Sequence, residues 1–256
     1  MENSFSEFKL IPDNENKIYL LYDKNGNKLD IPESIAIILD GNGRFAVKNN
    51  ISRALGHKAG CENLELILEE CVRLGVKYLT VYAFSTENWK RSESEISALF
   101  DLFFLYIKKI RKQAMENDVR VNFIGDLSKF SDKLYKECID LIELTKNNNR
   151  SNFIIALNYG GRDEIIRTIK KMNDEKYDFN NITESDFSKH LDTSNYKDPD
   201  LLIRTSGEFR VSNFLLWQIA YTEIYISDVL WPEFSKTELY KAIYEFNKRE
   251  RRFGGR

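Results

Sequence analysis

The sequence predicts an α/β fold: a single domain whose mostly parallel sheet is covered by helices. Short apolar runs of strand length alternate along the chain with longer segments whose apolar residues recur at spacings of three and four. Such spacing is typical of amphipathic helices, and strands that alternate with helices usually pair in parallel. At 256 residues the chain is long enough for one large domain with a substantial core. We therefore expect one sheet with helices on both of its faces.

The individual elements follow from these patterns in chain order. Residues 1–32 are predicted to form an N-terminal extension, an appendage with a hairpin that turns at Asn25-Gly26. The main domain, 33–256, begins with the apolar strand 35–39. The later elements are predicted as helix 59–74, strand 78–84, helix 93–116, strand 119–124, helix 128–145, strand 152–159, helix 161–173, a short helix near 183–191, strand 200–203, a helical turn and a last strand within 214–226, and a terminal helix near 235–250.

Composition excludes several classes of protein. The net charge of −2 provides no overall basic field for nucleic acid. No run approaches the roughly 20 apolar residues that span a bilayer, and the polar N-terminal segment has no apolar signal region. Three scattered cysteines, Cys61, Cys71 and Cys138, indicate a reducing compartment without a disulfide framework, and two histidines cannot build a His-rich metal site. We therefore expect a cytoplasmic protein.

The first strand leads into a loop whose composition predicts a metal ion. In the stretch "ESIAIILDGNGRFA" (33–46), the apolar run ends at Asp40-Gly41-Asn42-Gly43-Arg44. The two glycines would let the backbone approach a phosphate closely, and backbone N–H groups could hold it. An acid at this place repels phosphate unless Mg²⁺ lies between them, since Mg²⁺ binds through carboxylates together with substrate phosphates. Asp40 is therefore predicted to be a metal ligand and not a base.

The same glycine spacing leaves two alternatives open. It matches the fingerprint of dinucleotide-binding folds, which also need a second strand that ends in an acid about 20 residues further on. An amphipathic helix stands at that distance, and the next strand ends with Ser85 and Thr86 before any acid. A phosphatase with Asp40 as nucleophile is also conceivable, but no second acid stands two residues on.

Polar segments also stand at the ends of other predicted strands, where open α/β sheets bind their ligands. These segments are "STENWKR" (85–91), "NYGGRDE" (158–164) and "RTSGEFRVSN" (204–213). The cations at these ends are Arg44, Arg53, His57, Arg91, Arg204 and Arg210. They supply more positive charge than one phosphate group needs, and the guanidinium fork suits bidentate phosphate binding. The sequence therefore predicts a site for two polyanions.

The sequence leaves the roles of two further features open. Glu223 is an acid inside an apolar, aromatic stretch, which indicates either a second metal ligand or a buried pair with an arginine. Helix 93–116 is apolar over more than one stripe. Such a helix is commonly just buried, but it would equally suit the wall of a tunnel for a lipid chain.

Six ordered blocks resemble the cis-prenyltransferases, the undecaprenyl diphosphate synthase family. They are "IAIILDGNGRFA", "GHKAG", "VYAFSTENWKR", "NYGGRDEI", "DPDLLIRTSGEFRVSNFLLWQIAYTEIYISDVLWPEF" and "RERRFGG". The resemblance covers about residues 33–255 and implies a Mg²⁺-dependent homodimer with an apolar tunnel for the growing prenyl chain. Such an enzyme adds isopentenyl diphosphate to an allylic diphosphate, here farnesyl diphosphate, and makes a cis-polyprenyl diphosphate. A cell-wall carrier-lipid precursor, released at the membrane surface, is the implied product.

The resemblance also implies roles for individual residues. Asp40 is the metal-linked catalytic acid, with Glu223 as the second metal-binding acid. Asn88 is credited with proton removal, although an amide is too weak a base to act alone, so we expect it to orient the substrate or a diphosphate oxygen. The allylic diphosphate is assigned to Gly41, Asn42, Gly43, Arg44, Phe45, Arg53 and His57. The mobile segment over the site contains Ser85, Thr86, Glu87, Trp89 and Arg91, and the isopentenyl diphosphate pocket contains Arg204, Arg210, Val211 and Ser212.

The chain departs from the family pattern at a few positions. Phe45 stands where the family usually has tryptophan, and Ser92 replaces a usual proline. Neither change removes a charged catalytic group. The alternative from another class is a non-catalytic partner subunit of a heteromeric enzyme, which would lack the aspartate and the loop arginines. Asp40 and Arg44 are both present.

Overall fold

The structure, a computed structural model, describes residues 7–249 and consists of eight strands and seven α-helices within that range. The strands are β1 Phe8–Asp13, β2 Ile18–Asp23, β3 Ser34–Ile38, β4 Tyr78–Ser85, β5 Val119–Ile124, β6 Ser151–Tyr159, β7 Leu201–Arg204 and β8 Glu223–Ile226. The helices are α1 Asn42–Lys48, α2 Arg53–Leu74, α3 Glu93–Glu116, α4 Asp132–Thr145, α5 Gly161–Asp174, α6 Glu184–Ser188 and α7 Lys236–Asn247.

Six of the strands form one parallel sheet in the order β5-β6-β4-β3-β7-β8. Every residue of β3 is buried, and Ile35 pairs with Leu79 on one side and with Leu201 on the other. A central parallel strand is apolar throughout because both of its faces are covered. The predicted single α/β domain with a parallel sheet is confirmed.

The two faces of the sheet pack against different parts of the chain. Ile35 and Ile37 belong to the larger core cluster, with residues of α2, α3, α4 and α7. Ala36 and Ile38 point to the opposite face, where Phe214 and Leu215 join them in a second cluster. Alternate side chains of a strand point to opposite faces, so a five-residue strand contributes to both clusters. No helix within residues 7–249 has the length and apolarity needed to cross a membrane.

The N-terminal hairpin differs from the sequence prediction in its position and its packing. β1 pairs with β2, so the chain turns at residues 14–17. Asn25-Gly26 forms a second turn, because the Asp23 carboxylate accepts hydrogen bonds from the backbone N–H groups of Asn25 (2.9 Å) and Asn27 (2.8 Å). Leu21 is fully buried in the larger core cluster. The hairpin is therefore part of the main core and not an appendage.

Replacing Leu21 with alanine tests this packing. Deleting a fully buried leucine side chain should lower the free energy of unfolding by about 2–5 kcal/mol. Leu66→Ala on α2 is the matched control, because Leu66 is 52% exposed and should change that free energy by about 0.5 kcal/mol or less. Chemical denaturation of both variants measures the difference. Equal changes in the free energy of unfolding would contradict the packing of the hairpin against the core.

Candidate active site

The site lies where the strand order reverses. β3 is followed by β4 on one side of the sheet and has β7 on the other, and ligands of open α/β sheets bind at such a switch point beyond the carboxyl ends. Asp40 follows the end of β3, and Arg204 is the last residue of β7. The topology therefore brings these two residues together from distant parts of the chain.

Asp40 is held by its backbone and paired through its side chain. Its carbonyl oxygen accepts hydrogen bonds from Thr205 Oγ1 (2.6 Å), Ser206 Oγ (2.8 Å) and the backbone N–H of Trp231 (2.9 Å). Its carboxylate lies 2.9 Å from Arg204 Nη2 and 3.2 Å from Arg44 Nη2. The Arg204 side chain is only 5% exposed, so its guanidinium is desolvated and depends on these partners.

The predicted loop after Asp40 is shorter than expected. Helix α1 begins at Asn42, so Gly43 and Arg44 are helical and only Leu39, Asp40 and Gly41 connect it to β3. Gly41 has φ +113°, and a Cβ there would lie 2.2 Å from Ser206 Oγ. A Cβ on Gly43 would meet nothing within 4 Å. The fold therefore requires glycine at residue 41 but not at residue 43.

Arg204 connects Asp40 to the second basic loop. It donates hydrogen bonds to Ser212 Oγ (2.8 Å) and to the carbonyl oxygen of Arg210. Arg210 itself is 58% exposed and pairs with Glu208, which also lies 3.2 Å from Arg44. Arg44 on α1 and Arg210 in the loop after β7 thus reach the same carboxylate. Val211 packs beside them against the second core cluster.

A five-residue 3₁₀ turn, Thr86–Lys90, follows β4 and lines the cavity through Glu87 and Asn88. Asn88 Oδ1 accepts a hydrogen bond from the backbone N–H of Ser85 (3.0 Å), so this oxygen is already engaged, which suits an orienting role better than that of a base. Glu87 accepts a hydrogen bond from Asn213 Nδ2 (2.9 Å), one residue beyond Ser212. The turn is thereby joined to the second basic loop.

Glu95 on α3 holds another pair of arginines. It lies 3.1 Å from Arg53 and 3.1 Å from Arg91. Nearby, His57 is largely buried, and burial together with the charges of Arg91 and Arg53 lowers its pKa below the usual 6.5, against an opposing effect of Glu95. His57 is therefore expected to be neutral near pH 7.

One cavity of about 650 Å³ joins the polar groups to an apolar wall. The residues that line this cavity include ten that the sequence analysis predicted for the site: Asp40, Asn42, His57, Ser85, Glu87, Asn88, Arg91, Arg204, Arg210 and Ser212. Its apolar wall includes Leu64, Leu99, Leu102, Phe103, Tyr106, Ile107, Phe123, Ile155 and Leu157. Helix α3 supplies much of this wall, while its Leu105 points away and is 63% exposed. Arg53 lines a neighbouring groove between α2 and α3 instead.

Glu223 is not brought to this cavity by the chain itself. It is the first residue of β8, paired in register with Leu201, whereas the neighbouring strand reaches the site only at Arg204. Its carboxylate lies 2.6 Å from Arg249 Nη1. Glu223 thus pairs with an arginine, but the pair is partly exposed and is not the buried pair that the sequence left open. No group of three or more His, Cys, Asp or Glu side chains suited to a metal occurs among residues 7–249.

The sequence interpretation missed several residues of the site. Glu95 could have been found, because it stands four residues after Arg91 at helical spacing. Glu208 could have been suspected as an acid between two arginines of one loop. Asn213 and Asn158 carried no comparable signal, since their roles depend on partners far away in the chain.

Known proteins resemble this chain over most of its length. The family model described as "Putative undecaprenyl diphosphate synthase" matches residues 38–254. The isoprenyl transferase of Fusobacterium nucleatum is 53% identical over 226 residues, which cover 88% of this chain and 97% of that relative. The chain belongs to the undecaprenyl diphosphate synthase family. The resemblance seen in the sequence motifs is confirmed, and the protein is a cis-prenyltransferase.

Solved structures agree with this family. Lavandulyl diphosphate synthase from Lavandula x intermedia, in complex with dimethylallyl diphosphate, has a TM-score of 0.84 and 33% identity, and the match covers 87% of this chain and 98% of that one. A probable undecaprenyl diphosphate synthase from Campylobacter jejuni has a TM-score of 0.75 and 34% identity, with 88% and 100% covered. Dinucleotide-binding folds place the second and third strands side by side, whereas β6 lies beside β4 in this prenyltransferase. The dinucleotide-binding alternative is therefore not favoured.

The two glycines after β3 allow a matched test of the loop. Gly41→Ala combines a left-handed backbone with a clash against Ser206, so it should lower the free energy of unfolding by about 1–3 kcal/mol or more. Gly43→Ala lies in α1 with open space, so it should leave that free energy unchanged or raise it by up to about 1 kcal/mol. Denaturation curves compare the two, and binding of inorganic diphosphate to Gly43→Ala then measures how closely a ligand approaches this backbone. Equal destabilisation by both variants would contradict the assigned roles.

His57 should make stability depend on pH in a defined direction. Its folded pKa lies below that of the unfolded chain, so the unfolded chain takes up a proton first and stability is lost as pH falls below about 6.5. His57→Asn should reduce this loss. NMR titration of the two histidines, assigned with His190→Asn, measures the pKa directly. Inorganic diphosphate should raise the pKa of His57, and an unchanged value would argue against a phosphate at this side chain.

Proposed function

We propose that this prenyltransferase condenses isopentenyl diphosphate with farnesyl diphosphate and extends it to a cis-polyprenyl diphosphate, the precursor of a cell-wall carrier lipid. The observation that carries the proposal is one cavity in which Asp40, Arg91, Arg204 and Arg210 adjoin an apolar wall. A prenyl diphosphate has the same two parts, an anionic head and an apolar tail. The complex of lavandulyl diphosphate synthase with dimethylallyl diphosphate, an allylic diphosphate on a related fold, supports it.

The two ends of the cavity suggest the placement of the substrates. The arginines gather around Glu208 and Asp40, and the buried residues of α3 lie along the apolar wall. We assign the allylic diphosphate to the side of Arg44 and His57 and the isopentenyl diphosphate to Arg210 and Ser212. The growing tail would lie against α3, so that the cavity serves as the beginning of a tunnel.

The reaction requires stabilisation of a leaving group and removal of a proton. Breaking the allylic C–O bond gives a carbocation and a diphosphate, whose charge the arginines and backbone N–H groups stabilise in a site protected from water. The alkene of isopentenyl diphosphate then attacks the cation, and its extra proton passes to a diphosphate oxygen. Asn88 orients the reacting groups from the turn above the site.

Asp40 is the residue we expect to hold Mg²⁺. The residues at this place fit Mg²⁺ by their chemistry, because Mg²⁺ prefers oxygen ligands and binds through a limited number of protein carboxylates. Asp40 and Asn42 line the same cavity, and Asn42 Oδ1 is a buried oxygen without a hydrogen-bond partner among residues 7–249. When bound, Mg²⁺ would neutralise diphosphate charge and assist departure of the leaving group. Glu223 remains a predicted second metal-binding acid.

The assembly and location are further parts of the proposal. We propose a cytoplasmic homodimer that contacts the membrane surface when its product leaves. The tail Arg252-Phe253-Gly254, which resembles the segment that reaches a partner's site in this family, lies outside the described residues. Sedimentation of the purified protein measures its mass, and a monomer at working concentration would contradict the dimer.

Incubation with farnesyl diphosphate, labelled isopentenyl diphosphate and Mg²⁺ tests the activity. We expect products that differ by five carbons, and chain-length analysis determines where extension stops. Omission of Mg²⁺ should abolish product formation. If the purified chain yields no product alone but does so with a second subunit, the non-catalytic alternative is correct.

Asp40→Ala separates metal binding from diphosphate binding. Loss of a charge-stabilising group should lower kcat on the order of 10²- to 10³-fold. Binding of farnesyl diphosphate should be unchanged or tighter, because Arg44 and Arg204 remain, one negative charge is gone, and the diphosphate can replace the Asp40 carboxylate as the partner of Arg204. Calorimetric titration beside steady-state kinetics measures both, and parallel loss of binding and turnover would overturn the metal role.

Glu208→Ala is the matched control for this experiment. It also removes a carboxylate that pairs with Arg44, but Glu208 is not an assigned metal ligand. We expect tighter diphosphate binding with kcat reduced by less than about tenfold, an effect well below that of Asp40→Ala. An equal collapse of kcat in both variants would show that arginine placement, and not metal binding, is the role of Asp40.

A further inference from the structure

The 3₁₀ turn over the site depends on side-chain anchors for its position. It spans only five residues, Thr86–Lys90, and none of them is buried. Trp89 packs its ring against Phe84, Phe100 and Phe130, with centroid distances of 5.4, 5.5 and 6.0 Å. These rings come from β4, from α3 and from the segment before α4. Aromatic packing restrains the ring but leaves it some freedom to slide and rotate.

A single polar contact fixes the orientation of Trp89 within this cluster. Its indole Nε1–H donates a hydrogen bond of 2.7 Å to Asn158 Oδ1. Asn158 is only 4% exposed and is not among the residues that line the cavity. Asn158 can therefore act on the reaction only indirectly, through Trp89.

Asn158 is itself rigidly held. Its Nδ2 donates to the carbonyl oxygen of Asp126 (2.8 Å), and its own carbonyl oxygen accepts from the N–H of Asp126 (3.2 Å). Its φ of 49° is left-handed, a conformation that asparagine tolerates better than most residues. Gly125 comes so close that a Cβ there would lie 2.8 Å from the Asn158 carbonyl oxygen. The side-chain amide of Asn158 is thus held in one position near the end of β6.

We infer that Asn158 is a positioning residue that holds Trp89, and through it the adjacent Asn88, over the reacting groups. The inference rests on the proposed function, since Asn88 is the residue we assign to orienting the substrates. The contact between Glu87 and Asn213 holds the other part of the turn, so loss of Asn158 should tilt the turn without releasing it. Misplacement of a catalytic group by about 1 Å can cost on the order of 10²-fold in rate.

Three substitutions isolate this contact. Asn158→Gly keeps the left-handed backbone available and removes both side-chain hydrogen bonds. Asn158→Asp retains an oxygen acceptor for the indole N–H and also tolerates this backbone. Trp89→Phe keeps an aromatic ring in the cluster and removes only the N–H donor. Asn148→Ala is the matched control, because Asn148 is a buried amide that donates to Ala114 and Val119 carbonyl oxygens and does not line the cavity.

Kinetics should distinguish positioning from stability. We expect Asn158→Gly and Trp89→Phe each to lower kcat by roughly tenfold to a hundredfold, with the KM for farnesyl diphosphate changed by less than about threefold. Asn158→Asp should recover part of kcat, because it keeps an acceptor for the indole N–H but loses the hydrogen bond to the Asp126 carbonyl oxygen. The double variant should be no slower than the slower single variant, because both changes break the same bond. Asn148→Ala should lower the unfolding temperature and leave kcat unchanged.

Fluorescence provides a readout that does not depend on turnover. The emission of Trp89 is obtained by subtracting the spectrum of each protein's Trp89→Phe counterpart. In Asn158→Gly we expect this emission to shift to longer wavelength and to be quenched more readily by acrylamide. If this shift appears but the wild type forms no product, the contact stands and the proposed function fails. Wild-type kcat and emission in Asn158→Gly, or losses that multiply in the double variant, would overturn the inference.

Discussion

The ion pair between Asp40 and Arg204 is the interaction on which the rest of the site depends. It joins the ends of β3 and β7 at the switch point of the sheet. The polar loops that follow these two strands lie beside the same cavity there. A guanidinium that is only 5% exposed is costly to bury and must keep its partners. Through Ser212 and the Arg210 carbonyl, the same guanidinium also determines the path of the second basic loop.

The remaining arginines are ordered around carboxylates in a repeated arrangement. Glu208 holds Arg44 and Arg210, and Glu95 holds Arg53 and Arg91. Each glutamate restrains two long side chains that would otherwise lose rotamer entropy when an anion binds. For the diphosphate binding that we propose, these guanidinium groups are already gathered, and the diphosphate would take over contacts that the carboxylates make in its absence.

The apolar half of the cavity comes from the covering helices and not from the loops. Leu99, Tyr106 and Ile107 are buried on α3 and still line the cavity, because the helix packs beside the sheet without filling the space over β5 and β6. The excess of apolar residues on this helix thus serves two purposes, core packing and the cavity wall. Polar loops at the strand ends and an apolar helix beside the sheet are enough to make one amphipathic site.

The sequence alone determined the type and bounds of several elements through local patterns. Helix 93–116 and strand 119–124 have the predicted bounds, because side-chain periodicity and the caps that end an element are properties of nearby residues. The cation-rich strand ends were likewise visible, since an apolar run followed by glycines and arginines shows where a buried strand reaches the surface.

Only the tertiary structure decided which distant residues meet. The pairing of Glu223 with Arg249 away from Asp40, the sharing of Glu208 by two arginines, and the contact of Asn158 with Trp89 all depend on strand order and register. The burial of the N-terminal hairpin depends on how β2 packs against α2. Sequence spacing encodes the geometry of a single helix or strand, but the neighbours of a strand are chosen by the burial of whole faces, which no local pattern contains.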